Sequence, residues 1–371
     1  METLRNDPRA ARQRAAILDA CATATGPEFL DEVTERLRRV VPHGGAFWSA
    51  VDPVTTLAVS PARVDNLSAD SCVPWWEAEF LVEDVLRFTD LAHDPRGVAT
   101  LHDATDGQPT RSHRYGPVNL HNGFDDEMRA VLRTGGSTWG MMALYRGADE
   151  PVFSPAEQDF VADLSDALGS AFRRLAVSVP CVPAATDVAP GVLLFDHEGR
   201  LQSATGSVQH WLDELRNATP ATTDAGLPIP TELFTVVGRA RAIAAGRCGG
   251  EARARILGRS GRWLVAHASV LTDPRSGAPD QIAVVLEPAN AVEVVPIIVE
   301  AFGLTVRERE VVTCITRGMD TGEIAAHLFL SPHTVRDHCK AIFEKVGVSS
   351  RGELVARLYA TVNDMGEHGL A

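Results

Sequence analysis

Residues 304–358 read LTVREREVVTCITRGMDTGEIAAHLFLSPHTVRDHCKAIFEKVGVSSRGELVARL, and this stretch decides the fold of the C-terminal part of the chain. Residues that cap helix N-termini recur along it, each followed three positions later by a glutamate that completes a capping box. These pairs are Thr305 with Glu308, Asp320 with Glu323, and Ser350 with Glu353. Ser331, followed by Pro332, opens a longer helix that is predicted to end at Gly347. The stretch therefore predicts four helices, with a tight turn at residues 329–330 between the second and the third.

A helix, a tight turn and a second helix form the helix-turn-helix arrangement, in which the later helix enters the major groove of DNA. On that helix, apolar residues spaced by four, three and four positions are predicted to face the core: Val335, Cys339, Ile342 and Val346. The opposite face carries His333, Arg336, Asp337, Lys340 and Glu344. Arginine and lysine at such positions can donate to guanine O6 and N7, and aspartate can accept from cytosine N4. Phosphate contacts are expected at the flanks, from Thr334, His338 and Lys345.

The same stretch resembles the LuxR-type DNA-binding domain across all four helices. The matching positions are Leu304-Thr305, residues 307–311, Glu323 to Ala325, Ser331, Thr334-Val335, His338, Ile342, Gly347-Val348 and Arg351. The resemblance implies a bacterial transcription regulator that binds double-stranded DNA as a homodimer, with RNA polymerase as the expected protein partner. It directs Arg336, Asp337 and Lys340 toward the bases, and Thr334, His338, Lys345 and Arg351 toward the backbone.

The fourth helix has an apolar stripe formed by Leu354, Val355 and Leu358. In the LuxR-type domains the dimer is typically joined through this helix, so the resemblance implies that the stripe is the dimer contact. Two positions depart from the family pattern. Asp337 is acidic where many members are neutral or basic, which leaves the operator sequence open. Asp320-Thr321-Gly322 stands where the family often has Ser-Asn-Lys, so the resemblance implies that one phosphate contact of the family is missing here.

The charge of the chain is acidic and unevenly distributed. Among 371 residues, 35 are lysine or arginine and 49 are aspartate or glutamate, for a net charge of −14. Only two of the basic residues are lysines, Lys340 and Lys345. A lysine-free stretch from 1 to 339 argues against a Walker A loop, a protein kinase or a Schiff-base enzyme there. Residues 301–360 have a net charge of +1, and the rest of the chain has a net charge of −15. Because DNA repels the acidic part, only the module at 301–360 is expected to approach it.

Upstream of residue 300, the order of predicted elements indicates two mixed domains. Strands at 127–133 and 138–146 flank a Thr-Gly-Gly-Ser turn, and Ser154 with Glu157 caps a long helix. This unit resembles the second half of a GAF domain, whose fold is an antiparallel sheet flanked by helices. Residues 188–288 show two strands, helices and three strands, the element order of a PAS domain.

The predicted fold class is therefore α+β multidomain, with an all-α four-helix module at the C-terminus. The expected organisation is a GAF-like domain at 1–176, a linker at 177–187, a PAS-like domain at 188–288, a linker at 289–300, the helix-turn-helix domain at 301–362 and a tail at 363–371. The polar N-terminus shows no secretory signal, and no apolar run reaches the roughly 18 residues of a membrane span, so the chain is expected to be cytoplasmic.

The candidates for a ligand pocket in the upstream domains are Trp75, Trp76 and Tyr115. The alternative is a purely structural role, in which these aromatic side chains pack in the core. The nearby histidines match no metal-binding spacing, and the six cysteines form no CxxC pair. No nucleophile–base pair or phosphate loop is found, so we expect no enzyme, metal site or cofactor. Three hypotheses stay open for these domains: a sensor for a small effector, a docking and dimerisation scaffold, or a domain that converts a small molecule.

Overall fold

The computed structural model describes residue 4 and residues 7–178, 188–215, 221–222, 228–276 and 279–360. The N-terminal unit contains α1 (Pro8–Thr23), α2 (Phe29–Arg38), β1 (Gly45–Val51), β2 (Ala58–Asp65), α3 (Cys72–Phe80), α4 (Phe88–Leu91), β3 (Val98–Thr100), α5 (Leu101–Ala104), β4 (Asp126–Thr134), β5 (Ser137–Arg146), α6 (Pro155–Ala162) and α7 (Ser165–Ser178). The middle unit contains β6 (Gly191–Asp196), β7 (Leu201–Ala204), α8 (Val208–Glu214), β8 (Ala221–Thr222), β9 (Pro228–Ile229), α9 (Thr231–Ala244), β10 (Arg253–Leu257), β11 (Trp263–Thr272) and β12 (Pro279–Pro288). The remaining helices are α10 (Ala291–Ala301), α11 (Val306–Thr316), α12 (Thr321–Leu328), α13 (Pro332–Val346) and α14 (Arg351–Ala360), of which α11 to α14 form the C-terminal unit.

The two upstream units are each built on a five-stranded antiparallel sheet. The strand order is β2-β1-β5-β4-β3 in the N-terminal unit and β10-β11-β12-β6-β7 in the middle unit. In both sheets the first strand lies between the second and the last, so the two units share one strand order. Mixed architecture with two antiparallel sheets and a C-terminal helical unit agrees with the expected α+β class, while the GAF-like and PAS-like assignments stay predictions.

The β4–β5 hairpin shows how local sequence sets this fold. Its turn is Gly135-Gly136, and both glycines have positive φ, 62° and 88°, a conformation that glycine adopts without a steric penalty. Thr134 pairs with Ser137 directly across the turn. Helix α7 packs on β4 and β5 from one side, so these strands are buried along nearly their whole length. The Gly135-Gly136 turn between two strand-forming segments is what made this hairpin predictable from the sequence.

The segment expected to be a linker, 289–300, forms the packed helix α10. Asn290 accepts a hydrogen bond from the backbone of Glu293, whose side chain reaches back to Asn290, which makes a further capping box. Val294, Ile297 and Ile298 are fully buried, and α10 packs against α7 as well as α11 and α14. Pro296 at the sixth helical position obscured the helix in the sequence, since proline inside a helix removes one hydrogen bond. The linker expected at 177–187 lies almost entirely outside the described residues, as does the tail at 363–371.

The N-terminal and middle units pack directly against each other. Helix α3 lies on α9, and β2 lies against β10. Arg255 donates to the buried carboxylate of Asp52 at 2.9 Å, and Arg241 bonds Glu77 at 2.7 Å. These ion pairs join the N-terminal unit to the middle unit, and α10 packs against both the N-terminal unit and the C-terminal unit.

Candidate nucleic-acid interface

Helix α13 is held at both ends by the residues that the sequence singled out. The Ser331 hydroxyl accepts a hydrogen bond from the Thr334 amide at 3.1 Å, and Pro332 occupies the first helical position. Gly347 ends the helix with φ at 73°, where its amide bonds the Phe343 carbonyl. The inward residues Val335, Cys339, Ile342 and Val346 are at most 7% exposed. The predicted core face and the predicted ends of this helix are therefore those of the structure.

The outward face of α13 presents two cations one turn apart. Arg336 and Lys340 are exposed, and among the residues that the structure describes neither side chain has a hydrogen-bond or ion-pair partner. His333 and Asp337 are exposed as well but bond each other, with Nδ1 of the histidine 2.8 Å from the carboxylate. Asp337 is therefore hydrogen-bonded to a neighbour on its own helix. The side chains of Arg336 and Lys340 are accessible as donors to an acceptor outside the chain.

Lys345 is placed differently from the expectation that it contacts phosphate. Its ammonium donates to Glu308 Oε2 at 2.6 Å, which ties α13 to the start of α11. Burial acts to raise the pKa of Glu308, but Lys345 and the Thr305 cap outweigh burial and hold that pKa below its ordinary range. The ion pair gives Lys345 a role inside the unit. Lys345 shares Glu308 Oε2 with the backbone amide of Thr305, so the only signal in the sequence was the carboxylate that completes the first capping box.

Arg351 also serves the fold of the unit in this structure. Its guanidinium donates to the Met319 carbonyl and to the Thr321 hydroxyl, both at 3.0 Å. These bonds join the start of α14 to the start of α12. Thr334 and His338 are half-buried at the flanks of α13, and the hydroxyl of Thr334 lies 2.8 Å from that of Ser331. Of the residues expected at the DNA backbone, Lys345 and Arg351 are thus committed to partners in the chain.

The turn before α13 exposes an aromatic side chain that sequence reasoning had treated only as a turn residue. Phe329 has φ at 56°, in the left-handed region that disfavours residues with a Cβ, and its side chain is 93% exposed. Val306, at the start of α11, is 65% exposed. Neither burial nor backbone preference accounts for phenylalanine at this position.

Comparison with known proteins agrees with this geometry. The family model described as bacterial regulatory proteins, luxR family, matches residues 303–358. Spore germination protein GerE of Bacillus subtilis (strain 168) is 44% identical over 55 residues, which are 15% of this chain and 74% of GerE. The chain belongs to the luxR family of bacterial regulatory proteins.

Other luxR-family relatives share only this part of the chain. Transcriptional regulatory protein UhpA of Escherichia coli (strain K12) is 48% identical over 56 residues, which are 15% of this chain and 29% of UhpA. Probable transcriptional regulatory protein NarL of Mycobacterium tuberculosis (strain ATCC 25618 / H37Rv) is 45% identical over 53 residues, which are 14% of this chain and 24% of NarL. The chain therefore spans less than a third of the length of these two relatives.

Solved structures of low similarity were also found. Escherichia coli SdiA matches with a TM-score of 0.33 and 11% identity, over 95% of this chain and 97% of SdiA. The phage VqmA–DPO complex matches with a TM-score of 0.26 and 21% identity, over 50% of this chain and 90% of VqmA. Scores of this size assign no fold to the upstream units of this luxR-family chain.

The expected dimer stripe on α14 is only partly accessible in this luxR-family unit. Leu354 and Leu358 are fully buried, and α14 contacts both α10 and α11. Val355 is half-buried. Two of the three stripe residues are thus core residues of the single chain, because the same helix face that reads as apolar closes the domain. A dimer contact through α14 has to use the outer side of the helix.

The upstream candidates for a ligand pocket do not share one site. Trp75 and Trp76 line a cavity of about 60 Å³ together with Phe47, and Thr231 of α9 closes one side of it. Tyr115 does not line this cavity, and its phenol donates to Asp125 at 2.5 Å. The aromatic pair therefore lies where the N-terminal and middle units meet, and Tyr115 belongs to a separate hydrogen-bonded site.

A buried ionic cluster beside this cavity was missed from sequence. Its members are at most 2% exposed: Glu79, Asp84, Arg114, Glu127 and Arg129. Glu127 accepts from Arg114 at 2.8 Å and from Arg129 at 2.5 Å. Burial acts to raise the pKa of Glu127, but the two guanidinium groups outweigh burial and lower it to about 2. The signal was in β4, where Glu127 and Arg129 are two residues apart and therefore share one face of a strand that is buried along nearly its whole length.

Two further observations concern the described residues only. In that part of the chain, no three histidine, cysteine, aspartate or glutamate side chains gather into a group that could hold a metal ion. None of the helices there is both long enough and apolar enough to cross a membrane.

Proposed function

We propose that this luxR-family protein is a sequence-specific DNA-binding transcription regulator that reads the major groove with α13. The observation that carries the proposal is the pair of exposed cations, Arg336 and Lys340, on a helix that is capped at both ends. Rigid presentation of two donors one turn apart suits guanine O6 and N7 on neighbouring base pairs. Phosphate contacts then set the register of the helix on the duplex.

The test is selection of duplexes from a random pool with the full chain, followed by titration of the selected operator by fluorescence anisotropy. Arg336→Ala is expected to weaken operator binding by about 1–3 kcal/mol and to relax the preference at one base pair. An operator affinity that Arg336→Ala leaves unchanged would refute the role of α13. Glu344→Ala, on the same face but with a carboxylate that cannot approach phosphate favourably, serves as the matched control.

Binding as a homodimer belongs to the same proposal. A two-fold symmetric protein reads two half-sites about one helical turn apart. The experiment is a footprint on the selected operator, for which protection of two half-sites is expected and protection of a single half-site would contradict the dimer. Recruitment of RNA polymerase, tested by transcription from the operator in vitro, completes the proposed role.

We further propose that the N-terminal and middle units control DNA binding through a small effector or a protein partner. The cavity at Trp75 and Trp76 supports an effector, because it lies where the two units meet and is lined by aromatic side chains. Native mass spectrometry of the purified chain distinguishes the two modes. A co-purified small-molecule mass supports an effector, and its absence with an added protein mass supports docking.

A further inference from the structure

Glu300, near the end of α10, contacts two units of the chain at once. One carboxylate oxygen accepts a hydrogen bond from the Ser137 hydroxyl in the β4–β5 turn of the N-terminal unit. The other oxygen bonds the guanidinium of Arg309 in α11 of the C-terminal unit. The side chains of Glu300 and Arg309 are only 18% and 33% exposed, so both bonds are partly shielded from water. A single carboxylate therefore joins the N-terminal unit to the DNA-binding unit.

The packing around Glu300 reinforces this connection. Helix α10 lies against α7 of the N-terminal unit and against α11 and α14 of the C-terminal unit. Gly303, which follows α10, has φ at 65°, and a Cβ placed there would lie 3.2 Å from the guanidinium of Arg173 in α7. The turn between α10 and α11 is thus pressed against the N-terminal unit. A free linker would show neither contact.

We infer that Ser137, Glu300 and Arg309 form a clasp that holds the DNA-binding unit against the upstream units and lowers its affinity for DNA. The inference deepens the proposed function and rests on it. The clasp does not cover Arg336 and Lys340, which stay exposed. Its effect is electrostatic, because it keeps the acidic remainder of the chain, net −15, close to a module of net +1. Opening the clasp lets the module approach DNA with the acidic units farther away.

The clasp is also connected to the interior of the N-terminal unit. The β4–β5 hairpin that ends in Ser137 carries Glu127 and Arg129 of the buried ionic cluster on β4. It also carries Tyr145 on β5, whose hydroxyl accepts from the Trp75 indole at 2.9 Å. A change at the Trp75 cavity therefore acts on the same hairpin that presents Ser137 to Glu300. This gives the upstream units a covalent and hydrogen-bonded route to the DNA-binding unit.

The test is a charge reversal with rescue. Glu300→Arg places like charges together and opens the clasp. The double variant Glu300→Arg/Arg309→Glu restores opposite charges, and the Ser137 hydroxyl, which donates to a carboxylate, can equally accept from a guanidinium. Glu310→Gln is the matched control, because it removes an ion pair with Arg307 at 2.6 Å within α11 and touches no other unit. Glu300→Gln, nearly isosteric, repeats the opening should the charge reversal fail to fold.

Two readouts on the full chain separate the clasp from its effect on DNA. Hydrogen exchange is expected to accelerate at residues 134–140 and 294–303 in Glu300→Arg, to return to the native rate in the double variant, and to stay native in Glu310→Gln. Operator affinity at low salt is expected to rise about fivefold to tenfold in Glu300→Arg, to be reversed by the rescue, and to lose most of this gain at high salt.

Each contrary result has a distinct meaning. Native exchange in both segments of Glu300→Arg would show that the clasp does not hold the units together. Faster exchange without a change of operator affinity would overturn its role in DNA binding. Failure of the wild-type chain and every variant to select any duplex would overturn the proposed function itself, and the exchange data would still decide whether the clasp exists.

Discussion

The two lysines of this chain lie on the same helix, five residues apart. The structure predicts that replacing Lys340 weakens DNA binding, whereas replacing Lys345 lowers the stability of the fold. Lys340 is exposed and has no side-chain partner among the residues that the structure describes, whereas the Lys345 ammonium donates to Glu308 at 2.6 Å. Lys340→Ala and Lys345→Ala each take one positive charge from α13. The pair is therefore matched in net charge, so any difference between the two variants reports where each ammonium group lies.

The expected sizes follow from these environments. A base contact by lysine is worth about 1–3 kcal/mol, so Lys340→Ala should weaken operator binding about 5- to 150-fold with no loss of stability. For Lys345, a hydrogen bond between charged groups is worth about 1.5–3 kcal/mol, but this side chain is 37% exposed and solvent screens it. We expect Lys345→Ala to lower the free energy of unfolding by about 1 kcal/mol and to weaken operator binding less than threefold.

The assays are anisotropy titrations on the selected operator and urea unfolding of the full chain. All six tryptophans lie between residues 48 and 263, so their fluorescence reports the upstream units. Circular dichroism at 222 nm also follows the helices of the C-terminal unit. Loss of the ion pair should shift the dichroism transition of Lys345→Ala more than its fluorescence transition. Equal losses of operator affinity in both variants, with native unfolding curves, would refute the assignment of Lys345 to the fold.

Three further variants test the upstream units and the end of α13. Glu127→Ala should lower the free energy of unfolding by about 3–5 kcal/mol in urea titrations followed by tryptophan fluorescence, because two guanidinium groups stay buried without their shared carboxylate; a loss below 1 kcal/mol would contradict this. Burial raises the pKa of Glu232, so the folded chain keeps a proton that the unfolded chain releases, and the free energy of unfolding falls as pH rises above the ordinary glutamate range. Glu232→Gln should remove this term, so its stability advantage over the wild type should grow from pH 5 to pH 8 in the same titrations; an advantage independent of pH would show that the carboxyl is ionised in the fold. Gly347→Ala should cost about 1 kcal/mol, seen by dichroism at 222 nm, because φ of 73° strains a residue with a Cβ; an unchanged midpoint would place the residue in another conformation.

The helix ends of the C-terminal unit could be predicted from the sequence by the local rules of helix capping. Thr305, Asp320 and Ser331 each accept the backbone bond that their position predicted, and Gly347 ends α13 as expected. Helix caps and apolar periodicity depend on residues within about four positions of each other, so a single sequence is enough to predict where these helices begin and end. The same holds for the β4–β5 hairpin, where two glycines set the turn.

Contacts between distant parts of the chain were beyond these rules. The bond from Lys345 to Glu308 spans 37 residues, and the bond from Ser137 to Glu300 spans 163. Which side chains meet at such separations depends on how whole helices and strands pack. The spacing of residues along a single helix contains no information about that packing. The sequence therefore predicts a phosphate contact for Lys345 and a linker at 289–300, whereas the ion pair with Glu308 and the packing of α10 become visible only in the structure.

The small size of the Trp75–Trp76 cavity limits how the upstream units can exert control. A volume of about 60 Å³ holds a few atoms, whereas sites for metabolite-sized ligands occupy roughly 300–1,000 Å³. Because α3 supplies Trp75 and Trp76 to the lining and α9 supplies Thr231, we expect a ligand of that size to bind in a conformation in which these helices are farther apart. Part of the binding free energy of the ligand would then offset the loss of packing between the N-terminal unit and the middle unit. We therefore expect an effector at this site to act by moving the two units relative to each other, and the hairpin that bears Ser137 belongs to one of them.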